Sequence, residues 1–349
     1  MSPRLSRWCL LLTLTAGCAP FLDDAPGEDG TSAGWSGDEW VHDPARLTLE
    51  EGEWVIYGSG NGGQALTRSV VDLETGEIRA AEGLDADTLA GDWWREVQEW
   101  NPTGEFDAPS VSADGRLLTF TVFDEEDGEI RDVTGLAVRT QDGFAPAGVL
   151  LSSEGEAEHT PRAMDASLVS ADGGSFVVFG SHAGGIFLAE LDPESGLLID
   201  DGDRPETDVA PERFTLLAQD LDAGIEAPYL HERDGLYYLF VNKGQCCRGA
   251  DSTYEVVVGR ATDLAGPYLD RDGEDLRDGG GTPFLASEGR FIGPGHVGVQ
   301  DTGSGEVVGV HFYDGADDGV SKFAAYTLTW VDGWPEVGAL QATHGGGPS

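Results

Sequence analysis

The chain has 349 residues, of which 40% are hydrophobic, and a formal net charge of −44 at pH 7. This length and apolar content allow a single large domain with a substantial core, while the negative charge argues against nucleic acid as a partner and against polyanionic substrates. The acidic residues are spread along the chain, which is typical of a solvated surface.

The N-terminal segment has the features of an export signal. Two arginines precede a short apolar stretch, and the small residues before Cys18 resemble a bacterial lipobox. The apolar stretch is too short to span a bilayer. We therefore predict a lipoprotein signal peptide at residues 1–17, a lipid on Cys18 as the only membrane attachment, and a flexible tether at residues 18–37. Ala19 favours the outer membrane or cell surface, and an ordinary signal peptide cleaved nearby is the alternative.

A turn glycine followed by a run of aromatic and β-branched residues occurs five times along the chain. The turn glycines lie 58 to 70 residues apart, at Gly52, Gly115, Gly173, Gly235 and Gly305. Apolar runs are short and bounded by Gly, Asp and Pro, and no helical stretch stands out. A repeat of this length suits one propeller blade of four strands. We predict an all-β, five-bladed β-propeller at residues 38–341 and a disordered tail at residues 342–349, with residues 323–335 as a candidate for closing the ring with the N-terminus.

A polar, ionisable residue precedes each turn glycine by eight or nine positions. These residues are Asp43, Asp107, Asp165, Glu226 and His296. One fixed place in five blades would bring them together on the central axis. Hydrolysis of a glycosidic bond needs one protonated and one ionised carboxyl group, and burial and neighbouring charge can separate their pKa values. Asp43, Asp165 and Glu226 supply three such carboxyl groups, one more than the reaction needs.

Several segments resemble the family-43 glycoside hydrolases, and most closely the endo-1,5-α-L-arabinanases. The strongest is IEAPYLHERDGLYYLFVNKGQCCRGADSTYEVVVGRATDLAGPYLDRDG, and MDASLVSADGGSFVVFGSHAGGIFLAELDPESG and VHDPARLTLEEGEWVIYGSG resemble two further blades. The resemblance is specific over residues 160–335, moderate over 40–60 and weak between 60 and 150. It implies a five-bladed propeller that hydrolyses its substrate with inversion.

The resemblance also implies roles for single residues. Asp43 matches the general base, Glu226 the general acid, and Asp165 the carboxylate that tunes and orients the acid. His296 matches a histidine near an axial ion that is usually calcium, although calcium prefers oxygen ligands. From the residues alone, Asp43 could instead cap a turn, Asp165 could be a turn acid, and His296 could be a satisfied buried imidazole.

Two departures from the family pattern concern substrate binding. Asp107 stands where the family usually has a tryptophan that stacks on sugar, and residues 181–185 lack the usual aromatic pair. We predict that Asp107 has a structural or substrate hydrogen-bonding role. The candidate substrate-binding residues are His42, Phe106, Asp107 and His182. Three tryptophans could replace the lost platforms or pack in the core: Trp93, Trp94 and Trp100.

The adjacent cysteines Cys246 and Cys247 favour a vicinal disulfide in an exported protein, with two buried thiols as the alternative. Taken together, these features predict an exported, lipid-anchored, monomeric glycoside hydrolase that cleaves α-L-arabinofuranosyl linkages in a polysaccharide or oligosaccharide, arabinan above all. The lost aromatic residues keep open a xylosidase, a galactosidase or an exo-acting arabinofuranosidase on the same fold. A glycan-binding propeller without catalysis is the third reading.

Overall fold

Five β-sheets, each of four antiparallel strands, follow one another along the chain and form a ring. This computed structural model describes residues 39–156, 160–182, 184–199, 207–209 and 211–344. The five-bladed β-propeller predicted from the repeat is confirmed. The predicted signal peptide, the lipid site at Cys18, the tether up to residue 37 and residues 345–349 lie outside the described residues. No helix in the described part of the chain is long and apolar enough to cross a membrane.

The first three blades occupy the N-terminal two thirds of the chain. Blade 1 contains β1 (Thr48–Glu50), β2 (Glu53–Asn61), β3 (Gln64–Val71) and β4 (Ile78–Leu84). Blade 2 contains β5 (Asp107–Val111), β6 (Leu117–Glu126), β7 (Glu129–Thr140) and β8 (Gly143–Glu156). Blade 3 contains β9 (Ser167–Ala171), β10 (Gly174–Phe179), β11 (Ile186–Leu191) and β12 (Thr215–Ala218).

The last two blades complete the ring. Blade 4 contains β13 (Ile225–Arg233), β14 (Leu236–Lys243), β15 (Glu255–Ala261) and β16 (Thr282–Leu285). Blade 5 contains β17 (Phe291–Asp301), β18 (Glu306–Asp314), β19 (Val320–Val331) and β20 (Trp334–Thr343). Strand β20 therefore continues two residues beyond the predicted domain end at residue 341.

A short helical segment separates blades 1 and 2, although the sequence showed no clear helical stretch. It consists of α1 (Ala86–Ala90), a 3-10 turn (Gly91–Trp93) and α2 (Trp94–Val97). Asp85 caps α1 because its side chain accepts a hydrogen bond from the backbone N–H of Thr88. Helices this short depend on tertiary packing for stability, and these bury apolar side chains between the two blades. Further 3-10 turns occur at Pro211–Arg213, Gly249–Asp251 and Leu276–Asp278.

The repeated turn glycine lies in the hairpin that joins the first two strands of a blade. In blade 4, Asp234 and Gly235 have φ values of 52° and 74°. In blade 3, Asp172 and Gly173 have φ values of 51° and 78°. Two consecutive residues with positive φ are typical of the type I′ turn, whose twist matches that of the flanking strands. The repeated phrase therefore fixes the first hairpin of the blade.

Ring closure depends on contacts between complete blades and not on strands shared by the two termini. Residues 323–335 belong to β19 and β20, within a blade built entirely from the C-terminal part of the chain. The predicted closure by a composite blade is therefore wrong. Instead, the backbone N–H of Val41 donates to the carbonyl oxygen of Ser321 at 3.1 Å, and Arg46 donates to Gln300 at 2.7 Å. An apolar cluster that includes Val41 and Phe323 fills the space between blades 1 and 5.

Candidate active site

The five polar residues of the repeat lie in or shortly before the first strand of each blade: Asp43 and Asp165 precede it, and Asp107, Glu226 and His296 lie within it. Each blade has one residue with left-handed backbone at this place: Asp43 (φ 41°), Ala108 (φ 47°), Asp165 (φ 55°), Ala227 (φ 49°) and His296 (φ 56°). For residues other than glycine this conformation costs about 1–2 kcal/mol. Strained backbone of this kind is typical of functional sites, where the surrounding structure imposes it.

Asp43 lies among three histidines. Its carboxylate oxygen Oδ1 is 3.5 Å from Nε2 of His42 and 3.4 Å from Nδ1 of both His296 and His311. The hydroxyl of Ser59 donates to its other oxygen, Oδ2, at 3.1 Å. Burial alone would raise the pKa of Asp43, but the charges of His42 and His296 and a hydrogen bond with His296 hold it well below its usual range. Asp43 is therefore ionised at neutral pH.

The histidines around Asp43 differ in their charge. Burial lowers the pKa of His42 to about 4, against the attraction of Asp43, so His42 is neutral at pH 7. Burial opposes charging of His296 as well, but Asp43, Asp165 and Glu226 together raise its pKa. The backbone N–H of His296 donates to Oδ1 of Asn242 at 3.1 Å. His296 is therefore the cationic partner of Asp43 near neutral pH.

His311 is a site residue for which the sequence analysis predicted no role. It is fully buried, its ring stacks on His42 with centroids 4.4 Å apart, and its Nδ1 accepts the backbone N–H of Asp43 at 3.2 Å. A histidine that accepts through Nδ1 is neutral and carries its proton on Nε2, and this Nε2 is buried without a protein partner. An isolated histidine in the apolar second strand of blade 5 was the available signal.

Glu226 is the second residue of β13 in blade 4 and is only 8% exposed. The hydroxyl of Ser181 donates to its Oε2 at 2.9 Å, and Nδ1 of His182 is 3.1 Å from the same oxygen. Burial alone would raise the pKa of Glu226, but hydrogen bonds with His182, Tyr254 and Ser181 and the charge of His182 lower it. The sequence analysis did not predict Ser181 or Tyr254.

Asp165 is coupled to Glu226 through the backbone and through charge. Its Oδ2 accepts the backbone N–H of Ala227, the residue after Glu226, at 3.1 Å. Burial and the negative charge of Glu226 raise the pKa of Asp165 to about 7, against the opposing charge of His296. Two carboxyl groups in this relation share protons as a pair. Asp165 thus fixes the position of Glu226 and affects its ionisation.

Asp107 is a fourth carboxyl group in the same site. Burial and the charges of Asp43 and Asp165 raise its pKa to about 8, and a hydrogen bond with Ser59 only partly opposes this. The hydroxyl of Ser59 also accepts the backbone N–H of Ala108 at 3.1 Å. Asp107 is therefore protonated at neutral pH and can donate a hydrogen bond.

The aromatic side chains near Asp107 belong to the core. Phe106 is fully buried, and its ring is parallel to that of Phe120 at 4.8 Å and to that of Trp93 at 6.5 Å. The predicted contact of Phe106 with substrate is therefore wrong, because its ring has no face open to a sugar. Trp94 is 6% exposed, and Trp93 and Trp100 pack against the same cluster, as the core alternative predicted.

A vicinal disulfide lies in the loop between β14 and β15, where it joins Cys246 and Cys247. The backbone N–H of Cys247 donates to the hydroxyl of Tyr313 at 2.7 Å. The Sγ atom of Cys247 is 3.7 Å from Nε2 of His42. The sequence favoured this disulfide but did not indicate that it adjoins the candidate site.

The donors around His296 do not form a calcium cage. Among the described residues, the group with metal-binding geometry consists of His42, Asp43 and His311. Two imidazoles and one carboxylate are nitrogen-rich, whereas calcium takes six to eight oxygen ligands. Calcium near His296 thus stays a sequence prediction that these side chains do not support, and no step below depends on it.

The fold and the site define the class of protein, a propeller with four carboxyl groups and several histidines at its axis. The sequence profile described as "Glycosyl hydrolases family 43" matches residues 146–335. The chain belongs to this family and is a glycoside hydrolase. The resemblance read from the sequence is confirmed.

Similar proteins cover most of the chain. Extracellular endo-α-(1→5)-L-arabinanase 1 of Bacillus subtilis (strain 168) is 28% identical over 328 residues, which are 90% of this chain and 92% of the relative. Extracellular exo-α-(1→5)-L-arabinofuranosidase ArbA of Cellvibrio japonicus is 35% identical over 186 residues, 50% of this chain and 52% of the relative. The structure of a GH43 endo-arabinanase from Bacillus licheniformis matches with a TM-score of 0.70 at 28% identity, covering 86% of this chain and 98% of that one.

Proposed function

We propose that this glycoside hydrolase cleaves α-L-arabinofuranosyl linkages in arabinan by a single displacement with inversion. The observation that carries the proposal is the difference between the carboxyl groups of one site. Asp43 is ionised among histidines, whereas burial and the charge of Glu226 raise the pKa of Asp165 to about 7, which keeps a proton beside Glu226 near neutral pH. An inverting glycosidase needs an ionised base and a protonated acid of this kind.

Each carboxyl group has one role in the proposed step. Asp43 takes a proton from water, and the water oxygen bonds to the anomeric carbon while the glycosidic bond breaks. Glu226 gives its proton to the departing oxygen. Asp165 holds the backbone beside Glu226, and its proximity favours retention of a proton by the pair.

The substrate is proposed from the relatives and from the shape of the site. The similar proteins carry the names of endo-arabinanases and of an exo-arabinofuranosidase, so both modes of cleavage are represented. The absence of an aromatic residue at Ser181 and His182, together with the burial of Phe106, favours exo action or another sugar as the second candidate. Neutral Asp107 and His42 are the proposed hydrogen-bonding partners of the sugar.

The change Glu226→Gln tests the acid. We expect kcat on linear arabinan to fall by about 10²–10⁴-fold, the usual contribution of general acid–base catalysis, with folding unchanged because glutamine has the same shape. Glu232→Gln, an exposed position on the same strand, is the matched control and should retain full activity. An active Glu226→Gln enzyme would contradict the assignment.

The products decide the remaining points. Proton NMR of the first product formed from linear arabinan should show the β-anomer, as inversion at an α-linkage requires. Release of oligosaccharides indicates endo action, and release of arabinose alone indicates exo action. Cleavage of aryl xylosides or galactosides with no release from arabinosides would replace arabinan by another sugar, and binding without any release would indicate a glycan-binding protein.

We also propose that the protein is exported and anchored by lipid at Cys18. The lipobox-like sequence before Cys18 supports the anchor, and the relatives described as extracellular support export. Cys18→Ala should move activity from the membrane fraction to the soluble fraction of a bacterial host. Unchanged fractionation would rule out the anchor.

A further inference from the structure

Ser181 and His182 connect Glu226 to solvent. Ser181 is 1% exposed, whereas the side chain of His182 is 57% exposed. His182 lies on the turn after β10 with left-handed backbone (φ 43°), and its N–H donates to the carbonyl oxygen of Ile225 at 2.8 Å. This bond places the imidazole beside the residue that follows Ile225, which is the proposed acid.

The hydrogen bonds between these side chains have a direction. The hydroxyl of Ser181 donates to Oε2 of Glu226 at 2.9 Å and is 2.7 Å from Nδ1 of His182. A hydroxyl has one proton to donate. Because Ser181 gives its proton to Glu226, it accepts the proton on Nδ1 of His182. Nδ1 is also 3.1 Å from Oε2 itself, so the proton has both a direct path and a path through the hydroxyl.

We propose that His182 is a positioning residue that returns a proton from solvent to Glu226 in each catalytic cycle, directly or through Ser181. The inference rests on the proposed role of Glu226 as the acid. It explains why a serine and a histidine stand where the sequence analysis expected an aromatic pair.

The charges around His182 favour its protonated form. The hydrogen bond with Glu226 raises the pKa of His182, burial opposes this, and the charges of Glu226 and Asp165 add to the rise, while Arg162 opposes it. The balance of these interactions thus favours the protonated form of His182. Glu226 is held as a carboxylate by the same contact, so an acid catalyst at this site needs a proton donor beside it.

The proton balance closes over one turnover. The Nδ1–H of protonated His182 passes to Oε2 of Glu226, and Glu226 protonates the departing glycosidic oxygen. The attacking water leaves its proton on Asp43. Solvent then reprotonates His182 and takes the proton from Asp43, so the net reaction consumes one water and no other reactant.

The leaving group tests this role in the enzyme. A nitrophenolate departs without protonation, whereas a sugar alkoxide needs a proton. We expect His182→Gln to lower kcat on arabinan by about tenfold or more, within the range of general-acid effects, with KM changed less than about twofold. Activity on 4-nitrophenyl glycosides of arabino-oligosaccharides should stay within about threefold of the wild type.

His182→Phe separates proton supply from sugar binding, because phenylalanine restores an aromatic ring but carries no proton. It should show the same dependence on the leaving group as His182→Gln, and added imidazole should partly rescue His182→Ala. The matched control is His231→Gln. This change breaks the 2.8 Å contact between His231 and Glu306, five residues along β13 from Glu226. A rise in KM with equal loss on both substrates, or full activity of His182→Phe on arabinan, would overturn the proposal.

An NMR titration tests the same inference without any substrate. The imidazole of His182 should titrate above the ordinary pKa of histidine in the wild type and move down toward it in Glu226→Gln. An unchanged midpoint would overturn the inference whether or not arabinan is the substrate. If the wild type cleaves no arabinoside, the proposed function fails, and this titration still decides whether His182 and Glu226 share a proton.

Discussion

Two aspartates at the same place in neighbouring blades are held in opposite protonation states. Asp43 lies within 3.5 Å of three imidazoles, and the charges of His42 and His296 hold its pKa well below its usual range. For Asp107, burial and the charges of two nearby carboxylates raise the pKa to about 8 and keep the side chain protonated at neutral pH. The residue type does not decide the role of these side chains. The partners contributed by other blades do.

Asp107→Asn tests the protonated state. Asp107 is protonated in the folded protein up to pH of about 8 but ionised in the unfolded chain above about pH 4. The folded state thus binds more protons in this interval, and the contribution of Asp107 to stability falls as pH rises from about 4 to 8. Asparagine removes this loss, so Asp107→Asn should raise the Tm relative to wild type by several degrees at pH 8 and much less at pH 4.

The matched control is Asp43→Asn, for which the expected change in Tm has the opposite sign. The pKa of Asp43 is lowered on folding, so its carboxylate stabilises the folded protein above the unfolded pKa and this contribution is lost as pH falls through the folded pKa. Asp43→Asn should therefore lower the Tm at pH 7. Equal Tm differences at pH 4 and pH 8 for Asp107→Asn would show that Asp107 is not held protonated.

The sequence predicted where the site residues lie but not their partners. A fixed distance before each turn glycine identified Asp43, Asp165 and Glu226, because the chain between the site and the first hairpin has nearly the same length in every blade. His311 lies on β18 and Tyr254 immediately precedes β15, so both enter the site through the geometry of the ring, which no local spacing records. Phe106 was misread because a buried aromatic and a sugar platform have the same sequence pattern.

At the scale of elements, the loop between β14 and β15 forms one wall of the site. The disulfide between Cys246 and Cys247 fixes a turn whose N–H contacts Tyr313 and whose sulfur adjoins His42. A bond between adjacent residues closes a very small ring and restricts little of the unfolded chain. Its effect should therefore be on the shape of the site more than on the stability of the fold.

The double change Cys246→Ser with Cys247→Ser tests whether the disulfide affects the shape of the site more than the stability of the fold. We expect KM for arabinan to rise by about three- to tenfold, since the backbone of the loop is no longer fixed beside Tyr313 and His42, while the Tm changes by less than about 2 °C. Reduction of the wild type with a phosphine should give the same result, and the serine variant should not respond to the reductant. A large fall in Tm with unchanged KM would assign the disulfide to stability instead.

Elements with local signals were predicted better than elements that depend on packing. The hairpins follow from Asp-Gly turns between alternating strands, a strong local signal. The segment that contains α1 and α2 was missed because helices of four or five residues have little intrinsic stability. They form where Leu89 and Trp94 are covered by blades 1 and 2.

For the whole molecule, closure of the ring includes an ion cluster around the buried side chains of Lys322 and Asp314 in blade 5. Lys322 is 3% exposed and contacts Asp314 at 3.2 Å, Asp317 at 2.7 Å and Glu39, which precedes blade 1, at 2.9 Å. Arg290 pairs with the same buried Asp314. The cluster thus joins the start of the propeller to its last blade.

Lys322→Met tests the contribution of this cluster. Removal of one partner leaves a buried carboxylate without full compensation, which costs about 3–5 kcal/mol, and Arg290 should keep the loss near the lower end. Chemical denaturation measures the free energy of unfolding. Arg79→Met, which removes an exposed ion pair with Glu53, is the control and should cost less than about 1 kcal/mol. Equal effects of the two changes would contradict a role in closure.

The net charge of −44 gives the folded protein strong self-repulsion. Salt shortens the range of this repulsion, since the Debye length falls from about 30 Å at 0.01 M to about 8 Å at 0.15 M. The Tm should therefore rise with sodium chloride over this range at pH 7. The rise should be smaller near pH 4, close to the sequence pI of about 4.1, and a Tm that falls with salt at pH 7 would contradict this account.

The left-handed residues at the start of the blades set a limit on how this enzyme can be stabilised. A glycine at Ala108 or Ala227 would remove the backbone strain there. Design methods that select the residue of lowest conformational energy at each position would therefore choose glycine. At Ala227, the greater backbone freedom of glycine would also loosen the position of Glu226, the preceding residue, even though the N–H that Asp165 accepts is kept. Substitutions that raise the thermal stability of this protein are thus better sought on the outer strands of the blades, away from the strained backbone of the site.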